Sequence, residues 1–169
     1  MKVFGQAGEE KRITASKTAC TVGFETWFEN CLHAAPSGAL FLSPEVLHTM
    51  DFPSNKKLPA ALFSTQLGWI YVDRKGRVII RDVAPFDNGA DEFHEGLVRF
   101  RKNGKWGFAA PNGIVVIPAK YDGAYIFENG VARVCIGCHD ACTSQNDCEH
   151  HTFEGGQHFK IDRRGKVVP

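Results

Sequence analysis

No apolar run in this sequence approaches the roughly 18 residues that a helix needs to cross a bilayer, so no helical membrane span is expected. Charge of one sign is also missing. Lys and Arg number 20 against 19 Asp and Glu, and Arg163-Arg164-Gly165-Lys166 reads more simply as a charged hairpin turn than as a basic patch. Nucleic acid therefore finds no support as a partner. Residues Met1-Lys2-Val3-Phe4-Gly5-Gln6-Ala7-Gly8 lack the apolar core of a signal peptide. Catalytic signatures are absent too: there is no G-x-S-x-G, no H-E-x-x-H, no phosphate-cradling glycine loop and no carboxylate pair at a telling spacing. The expectation is a protein that is not an enzyme and that needs no cofactor.

Cysteine is present in a pattern that carries information. Six in 169 residues, an even number in two clusters, suit an oxidising compartment better than a reducing one. The expected location is periplasmic or extracellular, as a mature chain whose leader has been replaced by a start methionine; a cytoplasmic protein is the alternative. The length fits one well-buried domain over 1–169 and is short for two.

The chain is organised around Gly104-Lys105-Trp106-Gly107-Phe108-Ala109-Ala110-Pro111-Asn112-Gly113-Ile114-Val115-Val116-Ile117-Pro118, an aromatic strand, a tight turn and a second apolar strand. Its pattern recurs. Trp69, Trp106 and His158 each stand seven residues before a turn glycine, at Gly76, Gly113 and Gly165, and a fainter copy has Cys31 seven before Gly38. A glycine ending such a turn supplies the positive φ that other residues resist. The four glycines lie 38, 37 and 52 residues apart, so the last interval is an ordinary unit with about fifteen extra residues. The second half repeats as well, Phe93-His94-Glu95-Gly96-Leu97-Val98-Arg99-Phe100 matching Phe127-Glu128-Asn129-Gly130-Val131-Ala132-Arg133-Val134, with Pro59-Ala60-Ala61-Leu62-Phe63 a worn version. The fold expected is mainly β: tandem β-hairpin or meander units, about four, the first and last degenerate. The units run roughly 31–67, 68–104, 105–154 and, in part, 155–169. Trp69, Gly76, Trp106, Gly113 and Gly165 are the structural residues, the tryptophans filling gaps between units.

Lys105-Trp106-Gly107-Phe108, Ile117-Pro118-x-x-Tyr121-Asp122-x-Ala124 and Phe127-Glu128-x-Gly130-Val131-Ala132-x-Val134 resemble the WG-repeat (KWG) pattern of bacterial proteins. The resemblance spans roughly Cys31 to Pro169. The unit at Trp69 has Ile70 in place of glycine, and the last has His158-Phe159 in place of Trp-Gly. What it implies is a β-repeat protein, commonly exported and usually without an assigned enzymatic activity; it brings no catalytic residues.

Outside the repeats, Lys2-Val3-Phe4 and Lys11-Arg12-Ile13-Thr14 are candidate edge strands. Ser43-Pro44-Glu45 has the N-cap, proline and acid that start a helix, expected near 44–50, with Val46, Leu47 and Phe52 packed on the sheet. His48 is given a local hydrogen bond at most. Asp87-Asn88-Gly89-Ala90-Asp91-Glu92 is oxygen-rich but lacks the bidentate glutamate of a calcium loop, and reads as a solvated turn. A Cys20–Cys31 disulfide would staple a region with few repeats of its own.

Reactive groups crowd into the insertion at 135–154, where Cys135, Cys138, Cys142 and Cys148 are followed by His150 and His151. Two disulfides pinning a polar loop is the preferred reading, and the nested pairing Cys135–Cys148 with Cys138–Cys142 is the favoured one of three. A zinc ion on Cys135, Cys138, Cys142 and Cys148, or on three of them with a histidine, is the alternative; a redox C-x2-C at Cys135 and Cys138 lacks the βαβ context that gives it meaning. The function expected is a non-catalytic protein-binding module, in concrete form an inhibitor or immunity-type partner of a secreted enzyme. His139, Asp140, Gln145, Asn146, Asp147, His150 and His151 are its contact residues. A structural or sensory zinc protein is the alternative.

Overall fold

The computed structural model describes residues 18–23, 26–142 and 151–169. The strands expected at 2–4 and 11–14 lie outside the described residues.

The mainly β expectation holds, with one short helix. Strands β1 (Ala19–Val22), β2 (Thr26–Glu29), β3 (Leu32–Ala34) and β4 (Leu40–Leu42) precede helix α1 (Pro44–Thr49). Next come β5 (Ala60–Ser64), β6 (Gly68–Val72), β7 (Val78–Val83), β8 (Pro85–Phe86) and β9 (Gly89–Ala90). β10 (Val98–Lys102), β11 (Lys105–Ala109), β12 (Val115–Tyr121), β13 (Gly123–Ala124) and β14 (Val131–Ile136) continue the chain. β15 (His139–Asp140) and β16 (Phe153–Glu154) lie within the insertion, and β17 (Gln157–Asp162) and β18 (Val167–Val168) follow it. A sheet of eight strands runs β12-β11-β10-β7-β6-β5-β1-β2, and a second of four runs β13-β14-β17-β18.

The repeat is visible in the hydrogen bonds. In each turn the glycine N–H donates to a carbonyl three residues back, and that residue's own N–H donates to the carbonyl just past the glycine. The pairs are Gly76 to Asp73 with Asp73 to Arg77, Gly113 to Ala110 with Ala110 to Ile114, and Gly165 to Asp162 with Asp162 to Lys166. Gly38 to Ala35 with Ala35 to Ala39 completes the set, so the faint copy at Cys31 has the same turn as the others. Asp73 and Asp162 reinforce theirs, each Oδ1 accepting two backbone N–H groups.

Strand pairing repeats too. Trp69 faces Val83 and Trp106 faces Tyr121, and a register shift follows each tryptophan. At the second shift the strands come so close that a Cβ on Gly107 would lie 2.7 Å from the Ile117 carbonyl oxygen, which is why that slot holds glycine. Trp106 is buried and Trp69 half-buried, the latter edge-on to Phe63 with ring centres 5.5 Å apart. His158, in the same slot of the last unit, is exposed.

The amino-terminal core gathers Cys20, Cys31, Leu32, Leu42, Leu62 and Ile70 beneath α1, and each fully buried aliphatic side chain there contributes about 1.5–3 kcal/mol. Val46 of α1 is fully buried and Leu47 and Phe52 pack beside it. Ser43 caps the helix through its carbonyl, which accepts the Leu47 N–H at 3.0 Å, and its side chain makes no cap bond. His48 places Nδ1 2.6 Å from the Pro44 carbonyl oxygen.

Candidate binding site at the base of the insertion

Among the described residues, two charged side chains are buried. Asp91 and Arg99 are almost wholly buried, and they meet through two bonds, Arg99 Nε to Oδ2 and Nη2 to Oδ1, both 2.9 Å. Arg99 also donates from Nη1 to the Ala124 carbonyl at 3.0 Å, and its guanidinium lies 5.6 Å from the Trp106 ring centre. The Tyr71 hydroxyl donates to the Asp91 carbonyl at 2.7 Å. Burial first, and then the charges of Asp91 and Glu92, push the Tyr71 phenol well above its ordinary range, so it stays a donor. A buried pair holds only when every remaining donor and acceptor is met, and here the partners come from three successive parts of the repeat. The expected solvated turn at 87–92 is therefore corrected: Asp91 faces inward because β10 delivers Arg99 to it.

Arg99 is among the residues lining an open cleft of about 630 Å³. Tyr125, Arg133 and Lys160 line it together with Phe86, Ile126 and His151. The Arg133 guanidinium sits 4.3 Å above the Tyr125 ring. The Tyr125 hydroxyl accepts the Phe153 N–H at 3.0 Å, which fixes the ring under its cation.

The insertion is held at both ends. Asp122 accepts the Gly137 N–H at 2.8 Å and pairs with the Lys105 ammonium; the Lys105 bond, then that of Gly137, hold its carboxyl below the usual carboxylate range. Cys135 and Cys138 are joined by a disulfide with Cα atoms 5.9 Å apart. β15 pairs with β16, and beyond it the Ala141 N–H donates to the Thr152 carbonyl at 2.7 Å. His151 Nδ1 lies 2.5 Å from Asp140 Oδ2, with its ring edge-on to Trp106 at 5.0 Å and stacked on Phe153. The insertion is thereby tied to the tryptophan of the best-preserved repeat.

Of the expected contact residues, Asp140 and His151 are brought together, His151 lining the cleft, and His139 is exposed on β15. Gln145, Asn146, Asp147 and His150 lie outside the described residues. Cys20 and Cys31 are joined as expected, closing a loop with a sequence separation of 11. The nested pairing is corrected: Cys135 bonds Cys138, because the tight turn after β14, pinned by Asp122, brings those two sulfurs together before the chain enters the insertion. Cys142 is also disulfide-bonded, and Cys148 lies outside the described residues. Three of the four thiols of the zinc alternative are thus engaged as disulfides, and the described residues hold no group of three or more ligating side chains placed for a metal. Among the described residues no helix is long and apolar enough to cross a membrane. Sequence reasoning missed Asp91, Arg99, Arg133 and Lys160 as site residues. The signal that could have found the arginines was their identical place in the second half of consecutive units.

Among known families, the WG containing repeat matches residues 69–106 and 106–137, two copies end to end. No curated protein and no solved structure matches the chain. The family match covers the hairpins whose tryptophans face Val83 and Tyr121 and whose turns close through Gly76 and Gly113. Residues 69–137 thus match the WG containing repeat as two adjacent copies.

Proposed function

We propose that this chain is a non-catalytic protein-binding module of an exported bacterial WG-repeat protein, and that it docks its partner through the insertion at 135–154 and the cleft beside it. The observation that carries the reading is the anchoring of the insertion at both ends: Asp122 on Gly137 and the Cys135–Cys138 bond at one end, Asp140–His151 against Trp106 at the other. Such ties limit the ordering entropy lost on binding, as a protruding contact loop on a rigid scaffold requires. The Cys20–Cys31 and Cys135–Cys138 bonds support an oxidising compartment. The concrete form we favour is an inhibitor or immunity-type partner of a secreted enzyme, with the insertion entering that enzyme's cleft, and with 1–169 acting as one domain.

The test replaces residues 143–147 by glycine and serine, leaving β15, β16 and Asp140 in place, and compares capture of secreted proteins from the native host. Wild type should retain a partner that the replaced chain releases. Equal retention by both would remove the insertion from the interface.

A further inference from the structure

We propose that Arg133 and Lys160 form an anion site that takes a carboxylate presented into the cleft, such as an acidic side chain of the docked protein. The inference rests on the protein-binding reading for the owner of that carboxylate, and on the geometry alone for the site.

The repeat supplies the template. Eight residues before Arg99 stands Asp91, whose carboxylate occupies Nε and Nη2 of the guanidinium at 2.9 Å each. Eight residues before Arg133 stands Tyr125, whose ring lies 4.3 Å beneath the guanidinium and satisfies none of its N–H donors. From one unit to the next the arginine is kept and its carboxylate is gone. β17 then adds a second cation, because Lys160 is the direct cross-strand partner of Arg133. Like charges facing each other across a ladder destabilise it, and among the described residues neither has a carboxylate within ion-pair distance. Glu128 is the carboxylate of the cleft lining; it is exposed and pairs with neither cation. Arg99, already neutralised by Asp91, does not compete for an anion.

Specificity follows from the walls. The Tyr125 hydroxyl is held by the Phe153 N–H, so the ring fixes the guanidinium by its face and leaves the planar fork open at its edge, the arrangement that accepts a carboxylate through two parallel bonds. Phe86 and Ile126 place apolar surface beside it. The matching ligand is a carboxylate with apolar atoms close by, and it can come from a polypeptide or from a free organic acid.

The experiment is an NMR titration of the intact chain, reading the Arg133 Nε–H and the Tyr125 and Lys160 amides, with three probes: benzoate, a blocked five-residue peptide with one glutamate between two phenylalanines, and the same peptide with glutamine. The glutamate peptide should shift those resonances and bind at least about tenfold more tightly than its glutamine counterpart. Arg133→Gln should weaken it by about tenfold or more, and Arg133→Lys by several-fold, since charge survives but the fork does not. Lys160→Gln should weaken it about threefold, while Lys102→Gln, an exposed cation elsewhere on β10, should leave it unchanged. Unaltered thermal unfolding of Arg133→Lys keeps the comparison free of folding effects. Binding of benzoate without the peptide would assign the site to a free acid, and binding of the peptide without benzoate to a polypeptide. No shift with either, or equal affinity for the glutamate and glutamine peptides, would overturn the site whatever the capture experiment returns.

Discussion

Gly113 packs its bare Cα against Ile79 of the preceding unit, so closely that a Cβ would lie 2.7 Å from the Ile79 carbonyl oxygen. The contact recurs along the array. A Cβ on Gly165 would lie 3.3 Å from an Ile117 methyl, and one on Gly76 the same distance from a methyl of Leu47. The turns at Gly76, Gly113 and Gly165 are thus seated on what comes before them, whereas a Cβ on Gly38 in the first unit would meet nothing within 4 Å, and from Gly76 onward the glycine spacing is a packing register as well as a turn signal.

Gly113→Ala should therefore cost more than the left-handed backbone alone explains. Gly104 has a similar positive φ, 74° against 83°, with nothing within 4 Å of a built Cβ. Gly104→Ala should cost about 1–2 kcal/mol from strain, and Gly113→Ala about 3 kcal/mol or more once the clash is added. Urea denaturation of both variants decides it. Equal midpoints would mean that the Ile79 contact yields freely.

Asp91→Asn leaves the buried Arg99 guanidinium without a counter-charge and should destabilise by about 3–5 kcal/mol. The double replacement Asp91→Leu with Arg99→Met should recover much of that loss, because an apolar pair leaves no orphaned charge. Chemical denaturation of the single and double variants gives the comparison. A single variant costing under about 1 kcal/mol would show that water reaches the pair.

Acid should loosen the base of the insertion. The Asp122 carboxyl is held below its ordinary value of 3.8, chiefly by Lys105 and then by the Gly137 N–H. A depressed folded-state value means that the contribution is fully present above the ordinary value and is lost as pH falls through the lowered one. Asp162, lowered by the N–H groups of Lys166 and Arg164, acts in the same direction at the last turn. Melting temperature should be level from neutrality down to about pH 5 and fall below about pH 4, and Asp122→Asn should flatten part of that fall. A variant with the same acid limb as wild type would remove Asp122 from the linkage.

The two described disulfides should differ in weight. Opening Cys20–Cys31, with its sequence separation of 11, should cost about 3 kcal/mol, and opening Cys135–Cys138, with its separation of 3, about half as much by loop-closure entropy. Paired serine variants compared in urea measure both. Thiol titration of the unreduced, denatured chain should find no reactive thiol at Cys20, Cys31, Cys135 or Cys138, and zinc released by a chelator would contradict the disulfide assignment.

The hairpins and their turns were legible in the sequence because their cause is local. Gly76, Gly113 and Gly165 each end a turn of the same length, Asp73 and Asp162 brace two of those turns with their own side chains, and Pro44 starts the helix. The Asp91–Arg99 pair was not legible, since Asp91 faces inward only once β10 has paired beside β7 and brought Arg99 under Trp106. Cysteine spacing could not separate three pairings; the turn held by Asp122 does. The opposition of Arg133 to Lys160 depends on a register that spans the whole insertion, where local pattern carries no information.

Hydrogen–deuterium exchange of the chain with its captured partner bound tests the central claim most directly. Amide protection should concentrate at 131–142 and 151–160, around the cleft and the roots of the insertion, and leave β1 and β2 at the far edge of the large sheet unchanged. Protection confined to β1, β2 or α1 would place the interface elsewhere and contradict the account.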